Sequence, residues 1–556
     1  MSEELYQLPA SYGQQRLWLL EQTDTDSTIY SMNVAVRMRG PIRPELLAEA
    51  LTRVVERHEV LRTVIRLHGA EVVQVVRAPE PVPLPVIDVD GGLTGARARA
   101  DELRAAPFDL AQGPLLRCFL LRLGPGDHIL LTSMHHSISD GLSLTVMLKD
   151  ITTSYAQLVE GGDGVLPELP LQYADYALWQ QEQLSSGALE PQIDFWAERL
   201  AGLPPLRLPR DHAAPDRPTF DAVIAPVELK APLLAALLDA TPGGGGTPFM
   251  VALAAYSAVL SRWSRQQDLV VAIPMAGRSE ADLEELIGFF VNSLPIRLEV
   301  RPEMTFKELL GHVRDRCIAA YSNPDVPFEL LVERLRPARR VGRTPLVQAW
   351  MAVVPAEVRL RLGEIPGVTL EPVLLAHAKA PFDLVADLLE DGDVVRGNLF
   401  GRSDLFTAET VELVSRSLDE VVSAAAADPD VAIAGLPVLV ADERPPSPDD
   451  EDPYDVEPVA AVTPLSTGTV AEGATEMLLR TLWCEVLGRP SVGVDEEFYA
   501  LGGTSLSAVR VVMQGRRHGL ELPLDVMLGE HTVRQLAAAL PAKALPAAES
   551  NRGEVS

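Results

Sequence analysis

Up to about residue 440, apolar positions follow two alternating rhythms. In RPELLAEALTRVVERHEVLRT, the residues Leu46, Leu47, Ala50, Leu51, Val54 and Val55 share one side of a 3.6-residue period, and Pro44 suits a helix start. The run DHILLTSM is short and apolar, the pattern of a buried strand, and it leads directly to His135. After Gly141, LSLTVMLKDITTSYAQLVE returns to a helical period, as does TPFMVALAAYSAVLSRW. Alternating strand-like and helix-like segments predict a mixed α/β architecture. The glycines Gly243–Gly246 read as a flexible loop before a helix. They lack the Lys-Ser or Lys-Thr and the βαβ context of a phosphate-binding loop.

The rhythm stops after Leu439. The stretch ADERPPSPDDEDPYDVEPVAAVTPLSTGT is rich in Pro, Asp and Glu and reads as an extended, self-repelling linker. Helical spacing resumes in TEMLLRTLWCEVLG, through Met477, Leu478, Leu482, Trp483, Val486 and Leu487. The predicted divisions are therefore 1–185 and 186–440 within the large unit, a linker over 441–470, a small helical unit over 471–541 and a disordered tail over 542–556.

Composition narrows the function classes. A chain of 556 residues exceeds one ordinary core, and 23% charged residues suit a globular protein. A formal net charge of -30 argues against nucleic acid and anionic membrane as partners. Cys118, Cys317 and Cys484 have no paired spacing, which excludes a disulfide framework and a CxxC metal site and suits a reducing cytosol. The N-terminus has neither a basic start nor an apolar core, and the longest apolar run, around Phe249–Leu260, is too short to span a bilayer. The expectation is a cytoplasmic protein without a metal.

The chemistry concentrates in SMHHSISDGLS, Ser133 to Ser143, on a strand-to-helix connection where a rigid scaffold can present reactive groups. Taken alone, His135 and His136 fit a polar turn with one buried, hydrogen-bonded histidine as well as they fit a general base. Histidine is the side chain suited to proton exchange near neutral pH. The Asp140–Gly141 pair suits a sharp turn with room for a substrate, and the short acid can fix the loop by pairing with an arginine from elsewhere. No GxSxG elbow and no HExxH motif accompanies the pair, which disfavours hydrolase and metalloprotease chemistry.

MHHSISDG resembles the HHxxxDG signature of nonribosomal peptide synthetase condensation domains, within the chloramphenicol-acetyltransferase-like superfamily. Further segments resemble the family's other motifs in order: SYGQQRLWLL at Ser11–Leu20, RHEVLRT at Arg57–Thr63, YADYALW at Tyr173–Trp179, IGFFVNSLPIR at Ile287–Arg297 and NPDVPFE at Asn323–Glu329. RRVGRTPL, ending at Leu346, resembles the seventh more loosely. The resemblance implies two chloramphenicol-acetyltransferase-like α/β lobes in a V with a tunnel between them. It implies that His136 is catalytic, that His135 is a structural neighbour, and that Gly141 lines the approach of the acceptor. Asp140 would make a structural salt bridge, with Arg62 of the second motif as the candidate partner. Leu142 stands where many relatives carry tryptophan, and Asn292 and Arg297 read as architectural.

In the small unit, EEFYALGGTSLSAVRVV reads as a glycine-containing loop followed by a helix, and a serine at a helix start is usually a cap. LGGTSL also resembles the modification site of carrier proteins, with four helices, which implies that Ser505 carries covalent phosphopantetheine. A helix N-terminus suits a phosphate. The combined resemblance implies a condensation–carrier didomain that joins an upstream carrier-bound acyl or peptidyl thioester to an amine on its own arm. A phosphopantetheinyl transferase would modify Ser505. No adenylating domain fits between the two units, so a separate adenylation enzyme would load the arm in trans. The N-terminus enters the first motif almost at once, so the donor carrier is expected as a separate protein. Ester formation, release onto a free amine, a non-catalytic module that recruits a tailoring enzyme, and epimerisation are the alternatives; the additional glutamate motifs of epimerases are not apparent.

Overall fold

The computed structural model describes residues 3–23, 28–69, 71–213, 215, 218–335, 345–355, 363–373, 375, 379–391, 394–443, 473–503, 505–520, 522–527 and 531–540. Most of RRVGRTPL, most of the acidic linker, Thr504 and the tail lie outside the described residues.

The first half carries strands β1 (Glu4–Pro9), β2 (Ser31–Arg39), β3 (Thr63–His68), β4 (Glu71–Arg77), β5 (Val86–Asp88), β6 (Leu116–Gly124) and β7 (Asp127–His135). Its helices are α1 (Tyr12–Thr23), α2 (Pro44–Arg57), α3 (Gly92–Arg104), α4 (Gly141–Val159) and α5 (Tyr173–Ser185). Helix α2 starts on Pro44 as predicted and buries Leu47, Ala50, Leu51, Val54 and Val55. Burying each aliphatic side chain of this kind is worth roughly 1.5–3 kcal/mol. Strand β7 lies between β2 and β6, and every residue from His128 to His135 is buried, which explains its unbroken apolar run.

The second half carries β8 (Ala222–Leu229), β9 (Asp268–Met275), β10 (Asn292–Glu299), β11 (Ala349–Val354), β12 (Thr369–Pro372), β13 (Leu384–Asp391) and β14 (Val394–Arg402). Helices α6 (Glu190–Leu200), α7 (Ala231–Ala240), α8 (Pro248–Ser264), α9 (Phe306–Tyr321), α10 (Phe328–Leu335), α11 (Ala408–Ala427) and α12 (Leu439–Glu443) complete it. Six strands form one sheet in the order β10-β9-β11-β13-β14-β8. One face packs on α8, α9 and α11 through Leu253, Tyr256, Phe306, Val414 and Leu418. Thr247 caps α8 by accepting from the Met250 amide, directly after the glycine loop.

One strand crosses the predicted division at residue 185. Strands β11 and β13 are parallel neighbours, so the chain between them must cross over. That crossover passes through the first half. There β12 pairs antiparallel with β2, and the Val373 amide donates to the Ala35 carbonyl at 2.8 Å. The larger of the two first-half sheets is therefore five-stranded, β12-β2-β7-β6-β5, with one edge strand from the second half, and β1-β4-β3 form the smaller.

The small unit contains α13 (Ala474–Leu487), α14 (Ser505–Arg517), α15 (Leu524–Met527) and α16 (Val533–Ala539). Leu479, Leu482, Trp483, Phe498, Val512 and Leu536 are buried, with Trp483 and Phe498 edge to face at 4.8 Å. Met477 is 61% exposed, although its spacing placed it on the apolar side. The buried neighbour Glu476 instead pairs with Arg534, which also bridges Asp495.

Candidate active site

Strand β7 ends at His135, and a single 3-10 turn, His136–Ile138, follows before α4. His135 is 2% exposed between the rings of Tyr30 and Phe108. Its Nδ1 accepts from the Ser137 amide at 3.1 Å and lies 2.8 Å from the Ser137 hydroxyl. The ring thus caps the turn that presents His136, with its Nδ1 lone pair already used.

His136 is half-buried, and its Nδ1 lies 2.7 Å from the Ser139 carbonyl. A carbonyl only accepts, so Nδ1 carries the proton and the neutral ring keeps its Nε2 lone pair. The ring packs edge to face on Phe289 at 4.8 Å. Burial pulls the imidazole below the ordinary histidine value, and His135 adds to that. The Ser139 carbonyl and the Asp140 charge oppose the shift. The balance favours a neutral ring, the form a proton acceptor needs.

Asp140 is the N-cap of α4 rather than part of a sharp turn, with its Oδ1 accepting from the Ser143 amide at 2.9 Å. Gly141 is the exposed first residue of the helix, and a Cβ there would meet nothing within 4 Å.

The proposed Arg62–Asp140 salt bridge is not formed. Arg62 ends a 3-10 turn before β3, where its guanidinium binds Glu59 and the Arg77 carbonyl. Asp140 pairs instead with Arg278, from the segment between β9 and β10, at 2.9 Å and 3.0 Å in a bidentate fork. Both side chains are buried, 3% and 4% exposed. The Ser143 hydroxyl and the Phe290 amide also donate to Asp140, and Arg278 lies over the Phe290 ring at 4.3 Å. A motif groups residues along the chain, and Arg62 serves its own turn, whereas Arg278 is delivered by the other half.

Sequence reasoning missed Arg278, Ser143, Gly288 and Phe289. The Ser143 hydroxyl is 2.9 Å from Arg278, 2.9 Å from the Gly288 carbonyl and 3.0 Å from the Gly288 amide. A Cβ on Gly288 would sit 2.0 Å from the Tyr173 ring, so only glycine allows this approach. Tyr173 shares its hydroxyl with Ser11 and donates to the Phe289 carbonyl. Gln14 donates to the Ser137 carbonyl. Four separated motifs therefore converge around one turn. The second acts through other members: Arg57 and His58 both hold Asp150 of α4, at 2.6 and 2.7 Å. Asn292 ties Pro324, Val326 and Phe328, and Arg297 forms a fork with Asp268.

In the small unit, Ser505 is the first residue of the 13-residue helix α14. Gly502 adopts φ +97, and a Cβ on Gly503 would lie 2.4 Å from the Phe498 ring, so the turn entering the helix needs both glycines. A helix N-terminus after such a turn suits a phosphodiester.

The condensation-domain family model matches residues 5–444, and the phosphopantetheine attachment site model matches residues 478–540. The chain is 36% identical over 444 residues to phosphinothricin tripeptide synthetase PhsC of Streptomyces viridochromogenes, over 78% of this chain and 41% of that protein. It is 35% identical over 449 residues to malpinin synthetase of Mortierella alpina, over 79% of this chain and 6% of that one. The chain thus spans less than half the length of these relatives. Among solved structures, the X-domain from teicoplanin biosynthesis superposes with a TM-score of 0.73 at 29% identity, over 78% of this chain and 97% of that one. That X-domain has also been solved in complex with OxyB. With the two matches in this order, the chain belongs to the condensation-domain family of nonribosomal peptide synthetases and continues into a phosphopantetheine attachment domain.

Proposed function

We propose that this chain joins an acyl or peptidyl thioester, held on an upstream donor carrier, to an amine held on its own Ser505. The phosphopantetheine arm supplies the thiol that keeps the acceptor as a thioester. His136 accepts a proton at Nε2 while the amine forms its bond to the donor carbonyl carbon. The carbon–sulfur bond to the donor breaks, its electron pair stays on sulfur, and the proton passes to that thiolate. The product is an amide, and the donor carrier leaves as free thiol. His135 positions the turn, and the Asp140–Arg278 fork holds the start of α4 beside it. The Nε2 lone pair left by a neutral ring fixed through Nδ1 carries this reading. General-base assistance of this kind contributes about 10²–10⁴ in rate, with tethering supplying much of the remainder.

Residues 445–477, between the two family matches, are too few for an adenylating domain. In this reading an adenylating enzyme acting in trans charges the arm, after a phosphopantetheinyl transferase has modified Ser505. The test is intact mass after stepwise addition of coenzyme A with transferase, an aminoacyl-charging enzyme and a charged donor carrier. Each step should add its own mass, and Ser505→Ala should stop the series at the start. Self-loading from ATP and an amino acid would overturn trans loading, and an unshifted acceptor mass after donor addition would overturn condensation.

A second reading, recruitment of a tailoring enzyme, is favoured by the likeness to an X-domain solved with OxyB. It predicts a chain that binds a partner enzyme and forms no amide with any donor.

A further inference from the structure

Among the described residues, the His136 imidazole has one hydrogen-bond partner, the Ser139 carbonyl at 2.7 Å. A single bond through Nδ1 leaves a ring free to swing about it, because the χ2 torsion of histidine is soft. Apolar contact limits the swing. The Phe289 ring stands edge to face against the imidazole at 4.8 Å. The same ring lies against Gly13 of α1, where an added Cβ would come within 2.6 Å of it. The direction in which Nε2 points therefore depends on where Phe289 sits.

Phe289 has no polar group on its side chain, and the structure holds it by its backbone. The Tyr173 hydroxyl donates to the Phe289 carbonyl at 2.8 Å, and Asp140 accepts from the Phe290 amide at 3.1 Å. These two groups belong to one peptide bond, a rigid plane gripped at both ends. Without the Tyr173 hydroxyl the plane keeps one grip, and the Phe289 ring is free to turn with it. The carbonyl takes the Tyr173 proton, so the Ser11 hydroxyl, 2.7 Å away, donates to the Tyr173 oxygen. Ser11 accepts in turn from the Gln14 amide, and the Gln14 side-chain oxygen takes the Ser11 amide, a capping box at the start of α1. The Gln14 side-chain nitrogen donates to the Ser137 carbonyl at 3.2 Å. This chain of bonds begins in the turn that carries His136 and ends on the residue packed against its ring. Ser11, Gln14 and Tyr173 are all buried, at most 1% exposed. Burial also pushes the Tyr173 phenol well above its ordinary value, so it remains a donor across the neutral range.

We infer that Tyr173 is a positioning residue for His136: its hydroxyl fixes the Phe289–Phe290 peptide and, through the Phe289 ring, the direction of Nε2. The effect on rate rests on the condensation reading, and the effect on the imidazole does not. Phe289 comes from the second half and the other members from the first, so His136 is fully oriented when that segment is seated on Tyr173.

The test uses the full chain with carbon-13 at Cε1 of its 10 histidines, the His136 resonance being assigned by its loss in His136→Ala. The Phe289 ring displaces that resonance, and Phe289→Leu marks its position without the ring. Tyr173→Phe deletes one oxygen and keeps the ring packing. It should move the resonance toward the Phe289→Leu position. It should also lower kcat for amide formation about tenfold at unchanged acceptor KM, short of the roughly 10²-fold that an ångström of misplacement can cost. Tyr256→Phe is the control. It removes another buried tyrosine hydroxyl, 3.4 Å from the Leu384 carbonyl in the second-half core, and should leave both readings at parent values. A resonance unmoved in Tyr173→Phe, or moved equally in Tyr256→Phe, overturns the inference, as does an unchanged kcat in a chain that condenses. The resonance is read without substrate. A parent chain that forms no amide yet shows the Tyr173 dependence would count against the proposed reaction alone.

Discussion

Replacing Asp140 by alanine removes the acceptor for two Arg278 bonds, the α4 cap, and the partners of the Ser143 hydroxyl and the Phe290 amide. The guanidinium left behind is 4% exposed. Breaking a buried pair by removing one partner costs about 3–5 kcal/mol, of which the lost cap accounts for about 1. Arg278→Met is milder, about 2 kcal/mol, because Asp140 retains three donors from Ser143 and Phe290. The double variant decides the matter. If Asp140→Ala is unstable because it strands a charge, adding Arg278→Met should restore stability by about 1–3 kcal/mol. Urea midpoints can be read by hydrogen exchange in peptides from β7 and β10, which belong to the condensation unit. A double variant as unstable as Asp140→Ala, or less stable, would refute the stranded-charge reasoning and leave the cap as the main role of Asp140.

Three further outcomes follow from the site. His136→Ala should leave the urea midpoint near that of the parent and reduce amide formation about 10²–10⁴-fold, measured by product mass against time. Because burial holds His136 below its ordinary 6.5, the acid limb of the rate should fall below that pH. The sign for stability is the same: the unfolded chain takes the proton first, so the histidine's contribution is complete above 6.5 and is lost as pH falls toward the folded value. An acid limb above 6.5 would contradict the geometry. Gly288→Ala drives a methyl into the Tyr173 ring and should cost about 1–3 kcal/mol with loss of amide formation, whereas Gly141→Ala should melt like the parent and alter only acceptor KM.

Much of this protein is determined locally. The helical period from Pro44, the apolar run of β7, the start of α8 after its glycine loop and the break after Leu439 all follow from short-range patterning, because burial periodicity and turn chemistry act over a few residues. The two histidines could be located in the same way, since strand, turn and helix are contiguous around them. The tertiary structure alone decided who meets whom. Arg278 lies 138 residues from Asp140, and nothing in its own neighbourhood marks it as the partner. Arg62 looked eligible because it belongs to a recognisable motif, but a 3-10 turn gives it nearer oxygens. The parallel β11–β13 pair likewise sends the chain across to the other half, where β12 joins β2, because long-range pairing is set by the sheet as a whole and not by any segment within it.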